Sequence, residues 1–217
     1  MRDVLLIPWR GGQPERERNL RYVLRWYEPL GLEVYLGDSS HVPFNRGASR
    51  NTASEGAGDW DRALIADADC LAELLVVRDA FNLAWRTGKL ILPHDNFIDL
   101  HKRGTEKFML DPDEYRRDPR RFSRLTGMRW SAPQAPSGAL VLTHAAFDAI
   151  GGYDPAFYGW GYEDTALLFD AEHTVGYERI PGRLLHLYHP RDARIMDAEH
   201  ENQELARKHR ERSTMTP

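Results

Sequence analysis

Cysteine is almost missing from this sequence. Cys70 is the single one among 217 residues, which excludes an internal disulfide and a cysteine-rich zinc site and agrees with a reducing compartment. Long apolar runs are missing as well. Spanning a bilayer takes roughly 20 such residues, and Val4-Leu5-Leu6-Ile7 is too short even for the apolar region of a signal peptide. A soluble, cytoplasmic protein is expected. Nor is there an excess of positive charge: the formal net charge of -4 argues against a chain whose main task is to grip nucleic-acid backbone. Internal repeats, a Walker-type phosphate loop and a Ser-His-Asp signature are also absent.

What is present is an alternation of strand and helix patterns in a chain of one-domain length. Val4 to Ile7, broken by Pro8, reads as a buried first strand. A loop, Trp9-Arg10-Gly11-Gly12-Gln13-Pro14, leads to a helix over 15–30 with Leu20, Val23, Leu24 and Tyr27 at amphipathic spacing. Gly31 stops it before a second strand over 33–36. Strand, helix and strand imply a parallel sheet, whose ligands gather at the carboxyl ends of strands. Pro8, Trp9, Arg10, Asp38 and Ser39 fall there. Residues 44–54 read as a loop entering a short helix whose basic start can meet phosphates, and 59–66 as a strand ending in Asp67-Ala68-Asp69. Alternation points both carboxylates to one side, and hard divalent cations take such oxygen ligands. The same triplet also serves as a turn or helix-cap signal.

A helix is expected over 71–88 and strands over 89–93 and 138–142. Between the latter two, residues 94–137 are rich in Asp, Arg, Pro and Gly and read as a long acceptor-side loop or insertion, with a basic group over 115–121. A short helix over 143–150 delivers the chain to the stretch 151–164, Gly-Gly-Tyr-Asp-Pro-Ala-Phe-Tyr-Gly-Trp-Gly-Tyr-Glu-Asp. Glycines mixed with aromatic rings suit a bent segment that brings a polar substrate close to the main chain and stacks it. It reads equally as an aromatic turn into a helix with Glu163 and Asp164 in its first turn. Farther on come a helix over 165–173 and strands over 175–180 and 183–188, the second ending in the run that holds His186 and His189, three apart beside Pro190 and able to reach one ion if the backbone turns. A charged helix and tail over 193–217 carry no chemistry of their own.

In this order, Ile7-Pro8-Trp9-Arg10, Phe44-Asn45-Arg46, Asp67-Ala68-Asp69, Gly159-Trp160-Gly161-Tyr162-Glu163-Asp164 and His186-Leu187-Tyr188-His189-Pro190-Arg191 resemble the β-1,4-galactosyltransferase and chondroitin-polymerase-like glycosyltransferases. The resemblance runs over about residues 3 to 192. It implies an α/β fold, a single GT-A (Rossmann-like) domain over 1–192 with a mixed, mostly parallel central sheet flanked by helices. It also implies transfer of a hexose or N-acetylhexosamine from a UDP-sugar, with inversion and with Mn²⁺ (or Mg²⁺). Pro8, Trp9 and Arg10 then hold the nucleotide, Phe44 and Arg46 close over it, and Asp67 lies near the donor's ribose or sugar. Asp69, His186 and His189 are the implied metal ligands, His186 standing where these galactosyltransferases have methionine. Trp160 marks the donor and acceptor junction, with Glu163 orienting acceptor hydroxyls and Asp164 as general base.

Tyr162 departs from the family's Trp-Gly-Gly-Glu-Asp. The animal enzymes are membrane-anchored and disulfide-bonded, so a bacterial or phage enzyme is expected here. The expected acceptor is a glycan, a glycosylated or virion protein, or modified nucleic acid. A sugar-nucleotide nucleotidyltransferase and a non-catalytic nucleotide-sugar or carbohydrate-binding module are the alternatives. The first normally has a lysine in its N-terminal Gly-rich segment, which 9–13 lacks.

Overall fold

A computed structural model describes residues 1–113, 128–133, 136, 138–159, 161–190 and 199–215. Its centre is a six-stranded sheet of β1 (Asp3–Pro8), β2 (Glu33–Gly37), β3 (Arg62–Ala66), β5 (Leu90–Leu92), β8 (Ala139–Thr143) and β9 (Tyr177–Arg179), in the order β2-β1-β3-β8-β5-β9. β1 runs parallel to β2 and β3, and β5 parallel to β9. Only β8 is reversed, between β3 and β5. The expected mixed, mostly parallel sheet is therefore present.

Its inner strands β1, β3, β8 and β5 read as largely apolar runs because both faces are covered. Leu5, Ile7, Leu64 and Val141 face α1 (Pro14–Tyr27) and α3 (Leu74–Thr87). Val4, Leu6, Ile65, Leu140 and Leu142 face α2 (Arg46–Ala57), α5 (His144–Ile150) and α6 (Glu163–Thr174). The end of β2 demands glycine. A Cβ on Gly37 would lie 2.0 Å from the Ser49 carbonyl oxygen and 2.4 Å from the Ala53 nitrogen, so α2 crosses the end of β2 at backbone contact. Gly37→Ala is expected to lower stability by about 1–3 kcal/mol or more through overpacking, read as a lower urea midpoint. An unchanged midpoint would show that α2 can lift away freely.

Three expectations are corrected. Residues 94–137 are not simply a loop: they hold β6 (Asn96–Leu100), α4 (Lys102–Leu110) and β7 (Met128–Pro133). β6 is short and carries the polar Asn96 and Asp99, which hid it within a polar stretch. The basic group over 115–121 lies outside the described residues. Second, the helix expected from 71 begins at Leu74, because Cys70–Ala72 form β4. A short apolar run does not by periodicity distinguish buried strand from helix. Third, Asp67 to Asp69 is a turn rather than extended strand, closed by Cys70 N–H to the Asp67 carbonyl at 3.1 Å.

β4, β10 (Arg183–His186), β6 and β7 make a second sheet in the order β4-β10-β6-β7. Its register sets Cys70 and Asp99 on either side of His186. α1 anchors it: Trp26 Nε1 donates to the Ala72 carbonyl at 2.8 Å, and the Tyr27 hydroxyl accepts from Ala72 N–H at 2.8 Å. The C-terminal α7 (Glu199–Met215) packs on α6 through Ala206 and Leu205, in a small cluster with Phe157, Tyr162 and Ala166. Among the described residues no helix is long and apolar enough to cross a membrane.

Candidate active site

The turn after β3 and the end of β10 meet at a group of three side chains that could hold a metal ion. Asp69, His186 and His189 offer ligand atoms that all lie within 4.8 Å of one another. His186 Nε2 is 3.6 Å and His189 Nε2 3.2 Å from the Asp69 carboxylate. Each ring is turned by its other nitrogen. His186 Nδ1 is 2.8 Å from Asp99 Oδ1, and His189 Nδ1 is 2.9 Å from the Pro190 carbonyl. With acceptors at both Nδ1 atoms, the Nε2 lone pairs are aimed at Asp69, as outer partners orient metal-binding imidazoles. Burial opposes the His186 imidazolium, but Asp69 and Asp99 outweigh it and raise its pKa. At His189 burial prevails and lowers it. One carboxylate and two imidazoles form a donor set that fits Mn²⁺ better than Mg²⁺, which prefers oxygen and water. Cys70 lies beside them, but burial pushes its thiol well up and holds it neutral, so it packs instead.

A second charged group lies where α2 meets α6. Arg50, 2% exposed, pairs with Asp67 at 2.6 Å and Asp164 at 3.0 Å, and is 3.5 Å from Glu163. Arg46, one turn earlier, pairs with Glu163 at 2.7 Å. Tyr153 lies under Arg50, 4.7 Å from ring centroid to guanidinium, and donates its hydroxyl to Asp164 at 3.3 Å. Three carboxylates thus share two guanidinium groups in a dry setting. Asp164 bears the consequence. Burial, with the charges of Glu163 and Asp67, pushes its pKa up to about 7 against the pull of Arg50 and Arg46. A carboxylate so tuned can take a proton near neutral pH.

At the carboxyl ends of β1 and β2, Pro8 is buried, Trp9 is half-buried against the core, and Trp9 N–H donates to the Gly37 carbonyl at 2.8 Å. Arg10 reaches Asp38 at 2.5 Å and the His41 carbonyl at 2.6 Å, with its guanidinium 5.1 Å from the Phe44 ring centroid. Its charge is therefore already partnered by Asp38. Asn45 caps α2 by accepting from Ala48 N–H at 2.9 Å. The stretch leading to Glu163 bends as its glycines require: Gly151, Gly152, Gly159 and Gly161 all have positive φ. Tyr162 does too, at φ 71°, where the related motif has glycine. Its ring packs in the cluster with Leu205 and Ala206, offsetting a conformation that disfavours a side chain. Trp160 lies outside the described residues.

Solved structures share this architecture. The chain aligns over 96% of its length, and 80% of the other's, with the catalytic domain of Drosophila β-1,4-galactosyltransferase 7 in complex with xylobiose, at TM-score 0.54 and 16% identity. The GT-A fold is thereby shown. A mutant of the same Drosophila enzyme in complex with manganese, UDP-Gal and xylobiose matches this GT-A chain at TM-score 0.56 and 16% identity, over 95% of this chain and 79% of that one. Glucosyl-3-phosphoglycerate synthase from Mycobacterium tuberculosis, in complex with Mn²⁺, UDP-glucose and phosphoglyceric acid, matches at TM-score 0.53 and 12% identity, over 100% and 81%. Residues 117–191 match a family described as the N-terminal domain of galactosyltransferase. No curated protein matches significantly. The GT-A chain thus resembles the galactosyltransferases in fold and in this matched segment.

Of the residues singled out from sequence, the structure joins Asp69, His186 and His189 in one group and Arg46, Asp67, Glu163 and Asp164 in another. Pro8, Trp9, Arg10 and Phe44 lie at the first two strand ends. Sequence reasoning missed Arg50 and Asp99 as site residues and included Asp38 and Tyr153 only as members of a strand end and of the 151–164 stretch. Arg50 left a signal of its own, standing four residues after Arg46 on an expected helix and so on the same face.

Proposed function

We propose that this chain is a Mn²⁺-dependent glycosyltransferase. It moves a hexose or N-acetylhexosamine from a UDP-sugar to an acceptor hydroxyl, with inversion at the anomeric carbon. The observation that carries the reading is the pairing of a ready metal-ligand group with a buried carboxylate tuned to neutrality, linked through Asp67 and Arg50. The fold and the matched galactosyltransferase segment support it.

In this reading Asp69, His186 and His189 hold the metal, which supplies positive charge against the diphosphate of the departing UDP. Arg46 adds fixed positive charge near the start of α6. The acceptor oxygen forms its bond to the anomeric carbon as the bond to the phosphate oxygen breaks. Asp164 takes the acceptor's proton, and UDP leaves with the electron pair. Glu163, held by Arg46, orients acceptor hydroxyls. Asp67, held by Arg50, faces the donor. The acceptor itself belongs to the class of glycans and glycosylated macromolecules.

The test is release of UDP from a panel of UDP-sugars with Mn²⁺, with and without a panel of glycoside acceptors. Acceptor-stimulated release supports the proposal. Pyrophosphate formation instead marks a nucleotidyltransferase, and metal-dependent binding without turnover marks a binding module. His189→Ala is expected to weaken Mn²⁺-dependent UDP binding in calorimetry. Asp99→Asn, which removes the carboxylate behind His186, should cost about 10–100-fold in Mn²⁺ affinity. Undiminished binding in both variants would place the metal elsewhere.

A further inference from the structure

Between α5 and α6 the described residues, 151–159 and 161–162, form no helix or strand, yet the main chain that delivers Glu163 and Asp164 is gripped from two sides. From α2, Asn51 accepts from Tyr153 N–H at 2.9 Å and donates to the Tyr153 carbonyl at 2.7 Å. Asn45 donates to the Pro155 and Phe157 carbonyls, both at 2.8 Å. The opposite grip comes from α7. Asn202 accepts from Tyr158 N–H at 3.1 Å and donates to the Tyr158 carbonyl at 2.7 Å, closing a two-bond amide pair. His209 sits between Asp154 of the segment, 3.0 Å from Nε2, and Asp170 of α6, 2.7 Å from Nδ1. Both ring nitrogens face carboxylate oxygens, so both donate, and the ring is an imidazolium shared by two anions.

The composition of the docked face says what α7 is for. Of residues 200–212, only Asn202, Ala206 and His209 are buried, one face at helical spacing. A helix docked for stability alone would bury aliphatic side chains along that face. This one buries an amide and an imidazole matched to the backbone of Tyr158 and to the side chain of Asp154. Its small apolar contact, through Leu205 and Ala206, is with Phe157, Tyr162 and Ala166. These partners lie in the segment or in α6.

We propose that α7 is the acceptor-side strut of the active site, with Asn202 and His209 as positioning residues that hold the 153–162 segment, and through it Glu163 and Asp164, in the geometry of transfer. The proposal rests on the glycosyltransferase reading above. It makes the C-terminal residues part of the working site rather than a tail.

The experiment compares the full chain with Asn202→Ala and, as a second and milder variant, His209→Gln. Three quantities are read: hydrogen exchange of peptides covering 153–162 against those covering α2 and β3, UDP affinity with Mn²⁺, and acceptor-dependent UDP release with the fastest donor and acceptor pair of the panel. Each variant loses hydrogen bonds to the segment, so exchange within 153–162 is expected to rise about tenfold while α2 and β3 stay protected. UDP affinity should stay within about twofold, and acceptor-dependent release should fall by about tenfold or more through kcat. Unchanged exchange in 153–162, or faster exchange with undiminished transfer, overturns the strut. Uniformly raised exchange in both variants also overturns it, since α7 would then be a general stabiliser. Absence of Mn²⁺-dependent UDP binding by the parent protein overturns the glycosyltransferase reading, and the strut's catalytic role with it.

Discussion

Asp164→Asn is expected to lower sugar transfer by about 10²- to 10⁴-fold, the usual contribution of a positioned general base, while Mn²⁺-dependent UDP binding stays within a few fold. Asparagine preserves the shape of the side chain and can still accept from the Tyr153 hydroxyl, 3.3 Å away in the parent. It cannot take a proton. The parent's rate should rise with pH through an acid limb near 7, where the buried carboxyl loses its proton, and the variant's residual rate should lack that limb. Stability runs the other way. A carboxyl whose pKa is raised on folding keeps a proton that the unfolded chain has already released, so its contribution is fully present below about pH 4 and is lost as pH rises toward 7. Activity and stability therefore have opposite slopes across this window. Equal loss of UDP binding and transfer in the variant would show that Asp164 is a scaffold and not the base.

Arg50→Met should produce the largest loss of stability. It removes the guanidinium that Asp67 and Asp164 share and that also stands 3.5 Å from Glu163. Arg46 is left opposite three carboxylates. Removing one member of a buried ionic group costs about 3–5 kcal/mol, because the remaining charges stay desolvated. At about 2–4 °C per kcal/mol for a chain of this size, the melting temperature should fall on the order of 10 °C. Methionine roughly fills the volume, so the loss reports charge rather than a cavity. The deficit should narrow as pH falls from 7 to 5, where protonation relieves the repulsion, and a scan of melting temperature against pH in parent and variant reads this directly. A deficit that does not change with pH would mean that Arg50 acts by packing on Tyr153.

Much of this architecture was legible before any coordinates. The strand and helix alternation at the N-terminus, the reversed strand β8 as an apolar run and the bent approach to Glu163 all follow from local pattern. Asp69, His186 and His189, which the fold brings together, were singled out through the order of short motifs. What failed were short segments whose neighbours decide their state. β4 became a strand because β10 and the Tyr27 hydroxyl were there to pair with it. β6 was lost in a polar stretch because its partners lie far along the chain.

The amino-acid pattern by itself determined that this is an α/β protein with a mostly parallel sheet and that its carboxylates and histidines sit at strand ends and bends. Period and turn chemistry are local properties, and they need no partner to be read. Tertiary structure alone decided the division of labour. It separated Asp67 from Asp69, giving one to Arg50 and the other to the histidines. It set Asp99 behind His186 across a parallel register, and it brought Asn202 and His209 back onto a segment some 45 to 55 residues earlier. Those choices depend on burial and on charges that meet only after the sheet has assembled. Dry surroundings then give each meeting its strength, and dryness is a property of the packed chain rather than of any stretch within it.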